Sequence, residues 1–190
     1  MKYIEEKIRS TGKYTNYQIK QIMYLIQSIS SEISKIIIMG ILFRNNIPTY
    51  LFALIVLSFL RCYSGGLHFN TYIKCLLATI SYFILAINIL PHIIVPFEIK
   101  FVLLNVCMIL LSKFTPVISK YRPPLSAPKI LICQNITTTF TFVYIILLYI
   151  MPDNPLLTVG FWIIILHIAQ LFISKLLVVI NQKKGGSLIC

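Results

Sequence analysis

Charge is scarce in this chain, and negative charge is scarcest: 190 residues hold 17 Lys and Arg but only five Asp and Glu. With 12% charged residues, 58% hydrophobic residues and a mean hydropathy of +0.87, the composition excludes an ordinary soluble domain, in which about a quarter of residues are charged. Alternation of period 2 or 3.6 is also missing from most of the chain, where apolar residues come in long blocks instead. The net charge of +12 has no soluble basic domain with interleaved aromatics to carry it, so nucleic acid is excluded as a partner. Such an excess belongs to loops that face anionic lipid. The five cysteines are odd in number and scattered, which excludes a disulfide framework. Cys107 and Cys133 lie in or beside apolar runs, where any small hydrophobe would serve equally well. No internal repeat and no room for a separate soluble domain are evident. The opening residues lack both a continuous apolar stretch and a small-residue cleavage site, so no cleaved signal peptide is expected.

What is present reads as an all-α integral membrane protein, a single membrane-embedded domain over 1–190. Residues 1–30 place Ile4, Ile8, Ile19, Ile22, Met23, Ile26 and Ile29 at roughly helical spacing among Lys, Glu and Gln. This predicts amphipathic helices on the membrane surface, with Gly12 as a break. Residues 31–180 then hold six apolar runs, at about 33–43, 47–60, 75–95, 98–112, 131–151 and 156–180, and 181–190 form a tail. The first two runs are short for the roughly 20 residues that a span requires. They are split by Arg44-Asn45-Asn46, with Pro48 as a helix starter, and read best as a tight hairpin.

Counting Lys and Arg in alternate loops of a six-span chain gives a lopsided result. Thirteen fall on the side of both termini and of the 61–75 loop, and only Arg44 and Lys100 fall on the other. Positively charged loops stay in the cytoplasm, which predicts cytoplasmic termini and a cytoplasmic 61–75 loop. Lys35 and Lys175 lie within spans near their cytoplasmic ends, within snorkelling reach of the surface.

That loop, "RCYSGGLHFNTYIKC" at 61–75, concentrates the chain's reactive side chains between two oily runs. A catalytic cysteine attacks as the thiolate and needs both a proton acceptor and an environment suited to an anion. Cys75 begins the third apolar run, where a new helix presents N–H groups and the positive end of its dipole, and Lys74 adjoins it. His68 lies seven residues upstream, about 10 Å on a continuous helix and too far for a hydrogen bond of roughly 3 Å. The segment must bend back if the two cooperate. Gly65-Gly66 supplies the backbone freedom, and Asn70 and Thr71 are residues that turn and cap a helix start. Ser64 or Asn70 could orient His68. A cysteine at a membrane-helix end is also an ordinary packing residue, and an interfacial histidine is common, so spacing alone leaves both readings open. A metal site from Cys62, His68 and Cys75 fits poorly, because the gaps match no zinc pattern and a fourth ligand is missing. His92 sits beside Pro91 in a connection on the opposite side. His167, in mid-span with Gln170 on the same face, reads as packing or as part of a polar lining. Asn135-Ile136-Thr137 matches a glycosylation acceptor but falls at membrane depth and is discounted.

The order Arg61, Gly65-Gly66, His68, Cys75 leading into a hydrophobic helix resembles the signature of the accessory gene regulator protein B (AgrB) family. These are membrane-embedded cysteine endopeptidases of Gram-positive quorum sensing. Size, a basic amphipathic N-terminus, six spans and a later Pro/Lys-rich cytoplasmic loop agree, so the resemblance covers nearly the whole chain. It implies Cys75 as nucleophile, His68 as general base and Arg61, Gly65 and Gly66 as the supporting loop, with no cofactor or metal. The implied partner is an AgrD-like precursor signal peptide with an amphipathic leader, beside membrane lipids and a second copy of the chain as a homodimer. Its acidic C-terminal segment would meet Lys113, Lys120, Arg122 and Lys129, which are equally readable as positive-inside charges. The implied product is a cyclic thiolactone or lactone. The loop departs from the family pattern: "TPVISKYRPP" keeps Pro116-Val117, lacks an acid and has Arg122-Pro123 in place of Lys-Pro. The competing class is a non-enzymatic membrane protein, a small transporter or peptide-export component, in which the polar gap binds or gates. Such folds often show internal repeats, which are absent here.

Overall fold

The computed structural model describes residues 15–66, 71–116 and 125–184. Gly12, His68, Asn70, Lys120 and Arg122 therefore lie outside the described residues. The chain divides into two compact units, Met1–Asn45 and Asn46–Cys190.

In the first unit, helix α1 runs over Asn16–Leu42. Thr15 starts it with a reciprocal cap: the Gln18 amide N–H donates to Thr15 Oγ1 at 3.3 Å, and the Thr15 N–H donates to Gln18 Oε1 at 2.9 Å. Two backbone donors that the helix cannot pair internally are satisfied in this way. The amphipathic stretch and the apolar run at 33–43, separate in the sequence reading, are thus one continuous helix. Between Ile29 and Ile33 only the polarity of the side chains changes, and no Gly or Pro interrupts the backbone ladder. Lys35 pairs with Glu32 one turn back.

In the second unit, α2 spans Ile47–Ser64 and carries Pro48 in its first turn, as expected. Helix α3 spans Tyr72–Ile84 and continues through one wide, five-residue turn at Leu85–Ile89 into a tight turn at Leu90–His92. Pro91, which has no N–H to donate, sits where the regular ladder has already given way. Helix α4 spans Phe97–Phe114, α5 spans Ala127–Ile150 and α6 spans Pro155–Lys184. The start of α6 is set by Asn154, whose Oδ1 accepts the Leu156 N–H at 2.9 Å ahead of a proline in the first helical position.

Helix α6 is the centre of the bundle, packed against α2, α4 and both turns that follow α3, with α5 joined to it through Tyr144 and Leu157. Phe161, Ile163, Ile164, His167 and Leu171 are buried along it. Paired contacts fix the directions of the helices. Phe52 lies against Gly160, while Arg61 bonds Gln170, so α2 runs parallel to α6. The Lys100–Thr158 bond at the start of α4 and the Phe114–Phe172 ring contact at its end make α4 parallel as well. Tyr50 meets Phe83 in a tilted ring contact, so α3 is antiparallel to α2, and the Tyr144 hydroxyl donates to the Leu157 carbonyl, which turns α5 against α6. The outward faces present Ile55, Ile73, Leu77, Val102, Ile109, Phe142 and Tyr149, as lipid contact requires.

Among the described residues, four helices are long and apolar enough to cross a bilayer: Arg44–Ser64, Tyr72–His92, Ala127–Ile150 and Pro155–Leu176. The protein is an all-α membrane protein, and four of the six expected runs meet that standard. Of the other two, 33–43 is the end of α1. The run 98–112 lies in α4, whose 18 residues include Glu98, Lys100 and Lys113.

Three helices approach one another closely at Gly160. A Cβ there would stand 2.3 Å from Tyr144 Oη and 3.0 Å from Phe52 Cε1, so the glycine sets how near α2 and α5 come to α6. Gly160→Ala is expected to lower stability by about 1–3 kcal/mol through overpacking, read as unfolding of the full chain in bicelles. Tyr144→Phe in the same background should recover part of the loss; an equal loss in both backgrounds would show that the tyrosine contact is not the constraint.

Candidate functional site

The alternation of directions collects one set of helix ends at one end of the bundle. The C-terminal ends of α2 and α4 lie there with the N-terminal ends of α3 and α5. Arg61, Lys74, Lys113, Lys129 and Lys175 fall at this end, whereas Lys100 falls at the other. The charge asymmetry read from the loops is therefore also an asymmetry of the folded bundle.

Cys75 sits in the first turn of α3. Thr71 is the N-cap with extended backbone, as its residue type led us to expect, although its side chain makes no cap bond. Its carbonyl accepts the Cys75 N–H at 3.1 Å, the first bond of the helix, so the N–H groups of Ile73 and Lys74 point out of the helix end. Helical Cα–Cβ bonds tilt toward the N-terminus, which leans the half-buried Cys75 side chain back toward those groups and the positive end of the helix dipole. Cys75, Thr79 and Tyr82 share one face of α3. Thr79 Oγ1 donates to the Cys75 carbonyl at 2.8 Å, and the Tyr82 hydroxyl donates to the Ile163 carbonyl of α6 at 2.8 Å. Because α3 and α6 are antiparallel, seven residues back from Tyr82 corresponds to seven residues on from Ile163. Cys75 therefore lies toward the Gln170 end of α6 and away from Gly160.

There the end of α2 is held to α6 by two polar contacts. Arg61 Nη2 donates to Gln170 Oε1 at 3.3 Å, and Ser64 Oγ lies 2.5 Å from His167 Nε2. Ser64 and His167 are fully buried. The chain then leaves α2 at Gly65, whose φ of 79° suits glycine and strains any residue with a Cβ. Its N–H still donates to the Arg61 carbonyl at 3.1 Å. Gly66 lies against the Arg61 side chain, where an added Cβ would stand 3.4 Å from Nε.

The supporting loop expected from the sequence, Arg61 with Gly65 and Gly66, is brought together, and Cys75 stands at the same end of the bundle. Lys113, in the last turn of α4, and Lys129, in the first turn of α5, are exposed and flank the connection to which Lys120 and Arg122 belong. Lys175 Nζ lies 4.5 Å from the centre of the Phe114 ring, a cation–π contact. Cys62 is exposed, and no group of His, Cys, Asp and Glu suited to a metal occurs among the described residues. Sequence reasoning named His167 and Gln170 as a polar face but missed their partners. The sequence narrows the choice without making it: Arg61 and Ser64 are spaced i, i+3, as are His167 and Gln170, and polar groups at membrane depth must find one another.

A sequence profile of the family described as Accessory gene regulator B matches residues 1–174. The chain belongs to the AgrB family. A "Putative AgrB-like protein" of Clostridium beijerinckii is 33% identical over 137 residues, which are 70% of this chain and 66% of the relative. The chain thus spans just under two thirds of the length of that AgrB-like relative. No solved structure matches it.

The two glycines at the end of α2 differ in kind. Gly65→Ala is expected to destabilise by about 1–3 kcal/mol, because its backbone conformation is close to glycine-only. Gly66→Ala places a methyl group at ordinary contact distance and should change stability by less than about 0.5 kcal/mol. Unfolding of the two variants side by side checks this, and equal losses would contradict the assignment.

Proposed function

We propose that this AgrB-family protein is a membrane cysteine peptidase that matures a quorum-sensing signal peptide. The observation that carries the reading is the placement of Cys75: a half-buried thiol in the first turn of α3, leaning toward outward-pointing backbone N–H groups, at the cation-rich end of the bundle. His68, seven residues upstream across the Gly65-Gly66 exit, is the general base. It takes the Cys75 proton as sulfur attacks the scissile carbonyl, and the N–H groups of Ile73 and Lys74 receive the developing oxyanion. The proton then passes to the leaving amine, the C–N bond breaks and the C-terminal fragment departs, leaving a thioester on Cys75. A Cys thiol or Ser hydroxyl within the same peptide attacks that thioester and returns Cys75 as the thiol, so the product is a cyclic thiolactone or lactone. Ring closure competes with water because the internal nucleophile acts at a large effective concentration in a partly dry site.

The precursor's acidic tail meets Lys113 and Lys129, together with Lys120 and Arg122, by long-range attraction. Lys129 supports this assignment, since a cation at the third position of a helix opposes the helix dipole and is better accounted for by an anionic partner. Lys74 occupies the same position in α3. The end of the bundle that holds Cys75 faces the cytoplasm, as the cation asymmetry favours, and the amphipathic leader of the precursor lies on the same surface.

The test is cleavage of a synthetic precursor by the full chain in vesicles. Cys75→Ala and His68→Ala should each abolish cleavage while the protein remains inserted and abundant, and the wild type should accumulate a peptide thioester on Cys75, visible by mass spectrometry. Cleavage that survives either change would sink the dyad, and an absence of cleavage by the wild type would favour the transport reading. Neutralising the tail carboxylates of the precursor should raise KM with little change in kcat, as loss of uniform binding does.

A further inference from the structure

We infer that His167 is a positioning residue for this site: acting through Ser64, it fixes where and in what direction the chain leaves α2 for the segment that contains His68. This rests on the reading of Cys75 and His68 given above, but its structural basis does not.

Ser64 is the last residue of α2, and the chain turns at Gly65 immediately after it. The hydroxyl of Ser64 has one proton, and it donates that proton back to the Leu60 carbonyl at 2.6 Å. The 2.5 Å contact with His167 Nε2 must then use a proton on nitrogen. That assigns the tautomer: Nε2 carries the hydrogen and Nδ1 keeps a lone pair. Nδ1 is buried and has no hydrogen-bond partner among the described residues, which is unfavourable in an apolar interior. A residue retained for packing alone would not carry that penalty, since leucine fills a similar volume and buries no polar atom. The role of the histidine is therefore what Nε2 does, which is to hold Ser64.

The hold is geometrically complete because a second contact stands beside it. Gln170, one turn further along α6, takes Arg61, one turn earlier on α2, and the Arg61 side chain is the surface against which Gly66 rests. One contact fixes the last helical residue and the other fixes the support beneath the second residue after it. With Cys75 toward the same end of α6, held there through Tyr82, the exit of the chain and the nucleophile are both referred to one helix. A general base works only within hydrogen-bond reach, and displacement by about 1 Å can cost 100-fold in rate. A shift of the exit point is thus felt at the dyad although His167 touches no reacting atom.

The test uses the full chain in vesicles with the synthetic precursor. His167→Leu should lower kcat about 10- to 100-fold with KM unchanged. His167→Gln, whose amide N–H can reach Ser64 Oγ, should recover most of the rate. Ser64→Ala should fall as far as His167→Leu, and the double variant no further, because both remove one contact. In the same samples, hydrogen exchange at the Gly65 amide should accelerate in His167→Leu and not in His167→Gln. Wild-type kcat in His167→Leu, a glutamine variant as slow as the leucine variant, or additive losses would each overturn the inference. If Cys75→Ala still cleaves, the reading of Cys75 as nucleophile fails instead, and the exchange measurement alone decides whether His167 holds the exit.

Discussion

The interior of a bilayer offers polar groups no water, and the structure depends on how one helix meets that condition. Helix α6 carries His167 and Gln170 at membrane depth, and each finds its partner on α2. With water absent, the alternative to partnership is an orphaned dipole or charge, so these contacts specify a unique approach of α2 to α6 in a way that interchangeable aliphatic contacts do not. Gly160 sets the same pair of helices at the other end, by permitting closeness where the polar contacts demand it. Between the two points α2 has no freedom to slide, and the position at which it ends becomes a fixed feature.

From that fixed end the site follows. Gly65 turns the chain, a short connection crosses to Thr71, and α3 begins with Cys75 in its first turn. The antiparallel return of α3 is secured by Tyr82 on the backbone of α6. Cys75 is thereby referred to the same central helix as the residue at which the preceding helix stops. The two ends of one polar connection can in this way be held at a defined separation.

The sequence disclosed these parts unevenly. Helix starts were legible where chemistry dictates them: Pro48 for α2 and Thr71 for α3. The cation asymmetry was legible because charge counting needs no contacts, and so was Cys75 as a helix-start residue. The continuity of α1 was missed because a change from polar to apolar side chains looked like a boundary, although a helical backbone ends at caps and breakers and not at changes of polarity. The grip of α6 on α2 was not legible, because Ser64 and His167 are 103 residues apart in the chain and nothing in the local pattern of either names the other. Spacing of i, i+3 on both helices constrained the pairing without choosing it.

The length of α6 divides it between two surroundings. Thirty residues make a helix about 45 Å long, against a hydrocarbon thickness of about 30 Å. Its apolar part, Pro155–Leu176, holds 22 residues, about 33 Å, so helix and hydrocarbon are matched in length and no mismatch asks the helix to tilt. The turns that remain extend past the hydrocarbon at the end of the bundle where Cys75 stands.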